Sequence, residues 1–267
     1  MQGLRNAVVL VTGALSGIGL ATSERLHAEG ASVILTDLAE PGDAKVASIL
    51  GRFAGRVRYI RLDVTNEQDW AAARADVEGK EGRLDGLVHN AGTTSNGYVE
   101  TLELAAWRKV QAINADSIFM GTKAFTTLMV KSGTDRKGGA SIVIVSSMLG
   151  MVGFAAATPY NASKGSARLF SKATAIEYAS RQMPIRVNSV HPGFVATPLT
   201  LDGLDKIARE TGLNSAEPIV EEINRMTPVG RMGDPEEIAA TITFLCSTDS
   251  SYMTGSELVV DGGYTAR

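Results

Sequence analysis

The chain has 267 residues, 44% of them apolar, enough to bury the core of one α/β domain or two small ones. Its 26 basic and 29 acidic residues leave a formal charge of only -3, with no basic stripe that would indicate nucleic acid and no acidic arm. The single cysteine, Cys246, excludes an internal disulfide, no apolar run approaches membrane-spanning length, and the start at Met1 has no signal-peptide layout, so a soluble cytoplasmic protein with no membrane partner is expected.

Residues 7–11 are a short apolar run rich in β-branched side chains, and they end at Thr12, Gly13, Ala14, Leu15, Ser16, Gly17, Ile18 and Gly19. Beyond that turn Ile18, Leu20, Ala21 and Leu26 keep a helical rhythm up to Gly30, a plausible C-cap. Strand, glycine turn and helix in this order suit a pyrophosphate, because backbone N–H groups can approach it and the helix N-terminus favours an anion. The glycines are spaced by three residues and then one, unlike the commonest dinucleotide fingerprint. A second strand at 32–36 ends at Asp37, 18 residues past Gly19, where a carboxylate would accept hydrogen bonds from an adenosine ribose and repel a 2′-phosphate. Neither Ser16 nor Leu38 offers a cation, so NAD is favoured over NADP; a helix N-cap is the other role open to Asp37.

The alternation continues with a third strand at 57–62, closed by Asp63 and Val64, and a helix through Trp70 and Val77 that Thr65 or Asn66 can cap. A fourth strand at 84–88 ends in His89, Asn90, Ala91 and Gly92, and one long helix at about 102–130 carries Asn114. The apolar fifth strand at 140–145 leads to Ser146 and Ser147, and the next helix, running to about residue 180, carries Tyr160 and Lys164. A sixth strand at 185–190 ends in His191, Pro192 and Gly193, and a last short one at 257–260 precedes Asp261. Strands alternating with helices imply a Rossmann-type, doubly wound parallel sheet of about seven strands with helices on both faces, in a single domain spanning 1–267. Residues 197–231 break the pattern with three prolines and short helical pieces near 204–210 and 219–225, which suggests a substrate lid.

In such sheets ligands bind beyond the carboxyl ends of the strands, and every glycine or polar cluster above falls at such an end. Tyr160 and Lys164, four residues apart, share one helix face, where the lysine cation would lower the phenol pKa and make a proton donor and acceptor near neutrality. Each residue also has a plainer reading: a half-buried Tyr160, a snorkelling Lys164, Ser147 as a turn hydroxyl, Asn114 as a mid-helix polar residue. The three histidines, His27, His89 and His191, are read as structural.

Taken together, the chain resembles the short-chain dehydrogenase/reductase family along essentially its whole length. Thr12 to Gly19 matches the family's TGxxxGxG turn, Asn90-Ala91-Gly92 its NAG element, and Pro192-Gly193 with Thr197 its PGxxxT segment. Asn114, Ser147, Tyr160 and Lys164 match its four catalytic positions; Ser147, 13 residues before Tyr160, is preferred to Ser146. His89 departs from the asparagine of many members. Within the family, the stretches around Tyr160, Pro192 and Thr254 look most like those of (R)-specific secondary-alcohol dehydrogenases and bacterial hydroxysteroid dehydrogenases.

The resemblance implies a cofactor cradle of Gly13, Ser16, Gly17, Ile18, Gly19, Asp37, Leu38, Asp63, Val64, Asn90, Ala91, Gly92, Tyr160, Lys164, Pro192, Gly193, Val195 and Thr197. It also implies Tyr160 as general acid/base, Lys164 on the nicotinamide ribose, Ser147 on the substrate oxygen, Asn114 in a water-linked proton path, no catalytic metal, and a homotetramer formed through the two long helices. Ser147, Met148, Leu149, Phe154, Tyr160, Phe194, Leu199 and Met226, with the region after Gly92, are the expected substrate wall, and their character points to a neutral, hydrophobic secondary alcohol or ketone. A 3-ketoacyl-thioester reductase, or a non-catalytic NAD-binding sensor, are the rival readings; Asp37 opposes the first and the intact catalytic set the second.

Overall fold

Apolar runs of four to eight residues, separated by helical stretches, hide both strand faces only when helices cover both sides of a parallel sheet. The computed structural model, which describes residues 1–266, has this arrangement. Strands β1 (Val8–Thr12), β2 (Ser32–Asp37), β3 (Val57–Arg61), β4 (Gly86–His89), β5 (Ala140–Val145), β6 (Ile185–Pro192) and β7 (Glu257–Val260) form one sheet. Its order is β3-β2-β1-β4-β5-β6-β7, with every adjacent pair parallel. The chain leaves β1 toward one edge and returns at β4 toward the other, so the direction reverses between β1 and β4 and a crevice opens above them.

Strand residues alternate between two apolar layers. Val8, Leu10, Ile142, Ile144 and Val187 pack on α3 (Glu67–Lys80), α5 (Ser117–Gly133) and α6 (Thr158–Ser180). Val9, Val11, Val143, Val145 and Val190 pack on α1 (Gly17–Ala28), α2 (Ala44–Leu50) and α9 (Pro235–Cys246). The period-two alternation fixes which polar strand-end residues face which helices. Cys246 is buried in the second layer.

Several boundaries differ from the sequence expectation. Asn66 alone caps α3, its side chain accepting from Gln68 N and Asp69 N; Thr65 instead bonds Asp63. The helix expected at 102–130 is α4 (Leu104–Gln111), a π-helical segment Ala112–Asp116, and α5, which runs on to Gly133. The strand expected from residue 84 begins at Gly86, and β6 extends to Pro192. Between 197 and 231 the helical pieces are longer than expected: α7 is Pro198–Glu210 and α8 is Glu217–Met226. Proline at the start of each fits, because a first-turn residue needs no N–H partner. No described helix is long and apolar enough to cross a membrane.

Candidate active site

The turn after β1 is held open by its glycines. Gly13 (φ +64°) and Gly17 (φ +52°) adopt left-handed backbone, and a Cβ on Gly19 would run into the carbonyl of Gly13. Ser16 precedes α1 without a side-chain cap, and the first turn of that helix carries no acidic residue. Its leading N–H groups are therefore free to meet an anion. The turn is locked to the end of β4: Asn90 Nδ2 donates to Thr12 O (2.9 Å) and Gly13 O (3.2 Å), while Thr12 Oγ1 accepts from Asn90 N (3.0 Å) and Ala91 N (2.9 Å).

Asp37 ends β2 beside this turn, where its carboxylate accepts from Leu15 N (3.2 Å) and Leu38 N (2.8 Å). The N-cap role weighed for it falls to Asp43, which caps α2. A cleft of ≈ 790 Å³ runs from Asp37 and Leu38, past Asp63 and Val64, to Ser147, Tyr160 and Lys164. Its size, the glycine turn, the uncapped helix and the carboxylate at its far end fit a dinucleotide.

At the other end, α6 brings Tyr160 and Lys164 against the turn that follows β5. Lys164 Nζ donates to Val145 O (2.8 Å) and lies 5.6 Å from the centroid of the Tyr160 ring. Both serines line the cleft, and Ser146 Oγ is tied up by donating to Lys164 O (2.8 Å), which pins the helix. Ser147 Oγ accepts from Leu149 N (3.1 Å) and reaches the phenol of Tyr160. Asn114, in the π-helical segment, accepts from Thr93 N (2.8 Å) and donates to Thr93 O (2.9 Å) and Ser163 Oγ (3.0 Å). A single-turn π-bulge is a common way to turn one side chain out of helical register at a functional site. Gly92 passes close to Asn114 and Lys164: a Cβ there would stand 3.5 Å from Asn114 Oδ1 and 3.6 Å from Lys164 Nζ.

The electrostatics correct one expectation. The Tyr160 phenol is pushed up from its ordinary pKa of 10.0 by burial, the Ser147 hydroxyl only partly opposing this; lysine does not bring it down here. Lys164 itself is pushed down to about 8 by burial. Loss of hydration thus favours the neutral form of both groups. His89 is buried, pushed down to about 3 by desolvation, and bonded to Thr122 Oγ1 at 3.1 Å (Nε2), away from the cleft lining.

All the predicted cofactor residues except Gly19 line this cleft, and so do Ser147, Tyr160 and Leu199. Met148, Leu149, Phe154, Phe194 and Met226 do not. Met148 is buried, Met226 ends α8, and Phe154 and Phe194 meet edge to face with centroids 6.0 Å apart. Phe194 in turn meets Tyr264 edge to face with centroids 5.8 Å apart, a partner the sequence reading missed. It also missed Lys109, Ala112 and Ile113 in the lining, on α4 and the π-helical segment; the helical period does not put them on the face of Asn114.

This is the layout of a nicotinamide-dependent oxidoreductase of Rossmann type, and the comparisons with known proteins agree. A family model described as enoyl-(acyl carrier protein) reductase matches residues 13–265. A cyclopentanol dehydrogenase from a Comamonas species is 40% identical over 266 residues, covering 100% of both chains. An NADP-dependent (R)-specific alcohol dehydrogenase from Lentilactobacillus kefiri is 37% identical, covering 99% of this chain and 98% of its own. Among solved structures, the ligand-free aldohexose dehydrogenase of Thermoplasma acidophilum superposes with a TM-score of 0.85 at 32% identity, over 99% of this chain and 96% of that one. The chain belongs to the short-chain dehydrogenase/reductase family.

Proposed function

We propose that this protein interconverts neutral, hydrophobic secondary alcohols and their ketones with NAD as cofactor. The observation that carries the reading is a single cleft with Ser147, Tyr160 and Lys164 at one end and Asp37 at the other. The bound nicotinamide would accept the hydride in oxidation and supply it in reduction.

The chain's own residues manage one proton and one oxygen. The Tyr160 phenolate takes the alcohol proton in oxidation, and the phenol so formed returns it in reduction. The Ser147 hydroxyl donates to the substrate oxygen and stabilises negative charge that develops there. Lys164 would hold the ribose hydroxyls of the bound cofactor. Asn114 fixes the backbone of Thr93 beside them. Leu199, Ile113 and Val195 give the cleft an apolar wall, which supports a hydrophobic substrate. The names of relatives, a cyclopentanol dehydrogenase and an (R)-specific alcohol dehydrogenase, point the same way.

Asp37 supports NAD over NADP, since its carboxylate would repel a 2′-phosphate. Helices α7 and α8 form the lid over a single catalytic domain, and a homotetramer forms through α5 and α6. The experiment is NADH and NADPH formation, followed by absorbance, across a panel of secondary alcohols that includes cyclic alcohols and short hydroxy acids. NAD-linked oxidation of the apolar members is expected. Turnover with NADP alone would overturn the cofactor assignment, and a strong preference for hydroxy acids would overturn the substrate class.

A further inference from the structure

Ser189 and His191 are out of character with their strand. β6 is buried along its length, and Ile185 and Val187 enter the apolar layer beneath α5 and α6. By the period of two, Ser189 and His191 continue that same face, and both are 0% exposed. An imidazole buried there needs partners at both nitrogens. Nδ1 lies 3.1 Å from the carbonyl oxygen of Ser147, and Nε2 lies 2.9 Å from Ser189 Oγ. A carbonyl only accepts, so Nδ1 carries the proton and donates to Ser147 O; Nε2 then accepts from the Ser189 hydroxyl.

The bond lands on the residue whose hydroxyl faces Tyr160. Ser147 opens a short turn, Met148–Gly150, and that turn has two anchors. On the α6 side, Asn161 Nδ2 donates to Leu149 O and Val152 O, each at 2.7 Å, directly after Tyr160 in sequence. On the sheet side, His191 bonds the carbonyl of Ser147, which within the turn also accepts from Gly150 N at 2.9 Å. His191 does not line the cleft, so it reaches the chemistry only through Ser147.

We propose that His191 is a positioning residue: by donating from Nδ1 to the Ser147 carbonyl it sets the angle at which the Ser147 hydroxyl meets Tyr160 and the substrate oxygen. The inference rests on the reading of Ser147 as donor to that oxygen. A misplacement of about 1 Å at a reacting group can cost on the order of 100-fold in rate.

The test compares His191→Leu, which removes the donor, with His191→Asn, whose amide can donate from nearly the position of Nδ1. In alcohol oxidation by the full-length protein, His191→Leu is expected to lower kcat roughly 10- to 100-fold with the KM for NAD unchanged, and His191→Asn to recover most of that loss. Wild-type kcat in His191→Leu would overturn the proposal. So would equal losses in both variants accompanied by equal falls in thermal midpoint, since that pattern marks a merely structural residue. Imidazole ¹⁵N NMR of the wild-type protein decides the contact independently of any substrate. A neutral ring protonated at Nδ1 supports it, and a ring protonated at Nε2 overturns it. If no alcohol is turned over by the wild type, the proposed function fails while the NMR result still judges His191.

Discussion

Lys164 carries a charge in a place that resists it. An unfolded lysine keeps its proton to about 10.5, whereas the buried one releases it near 8. Between those values the unfolded chain binds more protons, so this residue's contribution to stability improves as pH rises, and its cost is fully present below about 8. A shift of that size corresponds to roughly 3 kcal/mol, part of which the bond to Val145 O offsets. Lys164→Met is therefore expected to raise the thermal midpoint at neutral pH while abolishing turnover; calorimetry showing a lowered midpoint would contradict this. His89 follows the same sign. It stays neutral in the folded state down to about 3, against an ordinary 6.5, so the unfolded chain gains the proton first and stability falls as pH drops through 6.5. Urea midpoints of His89→Asn should depend less on pH than those of the wild type across that acid range. At the far end of the cleft, Asp37→Ser should shift the NAD-to-NADP ratio of kcat/KM toward NADP by about tenfold or more, because like charges placed together are costly. An unchanged ratio would remove Asp37 from the specificity argument.

Among the elements, strand, turn and first helix were readable because each rests on local chemistry: a β-branched run, glycines where the backbone bends left-handed, and a helical rhythm. The prediction that belongs here concerns Gly19. An added methyl would meet Gly13 O and Asn90 Nδ2, the two groups that close the turn, so Gly19→Ala should weaken NADH binding by about tenfold or more in a fluorescence titration. Retained affinity would mean that the turn yields. The π-helical segment was not readable. Its insertion leaves composition and hydrophobic pattern nearly unchanged, so 102–130 read as one helix; what requires the bulge is the bond from Asn114 to Thr93, a tertiary contact. The aromatic cluster was half readable for the same reason. Phe154 and Phe194 sit next to recognisable strand ends, whereas Tyr264 arrives from beyond β7 and meets them only in the folded chain. The sign of the Tyr160 shift could not be read either, since spacing shows the neighbouring cation and says nothing of desolvation.

For the whole molecule, the alternation of apolar runs with helices was enough to specify seven parallel strands and the crevice over β1 and β4. The helices that the sequence reading assigned to subunit contacts leave large apolar side chains in solvent: Phe119 on α5 at 54% exposure, and Leu169 and Ile176 on α6 at 66% and 69%. Side chains of this kind on two adjoining helices suit burial against further copies of the chain. Light scattering is expected to give four times the chain mass, and Leu169→Glu with Ile176→Glu to give a smaller species. A wild-type monomer would contradict the assembly.

In the proposed reaction Tyr160 moves the proton between alcohol and ketone. The most direct test pairs NADH binding with single-turnover oxidation in the wild type and in Tyr160→Phe. Unchanged NADH affinity and a loss of rate of roughly 100-fold or more are expected when the hydroxyl is removed. A Tyr160→Phe variant that binds NADH and oxidises alcohol at close to the wild-type rate would contradict this role of Tyr160.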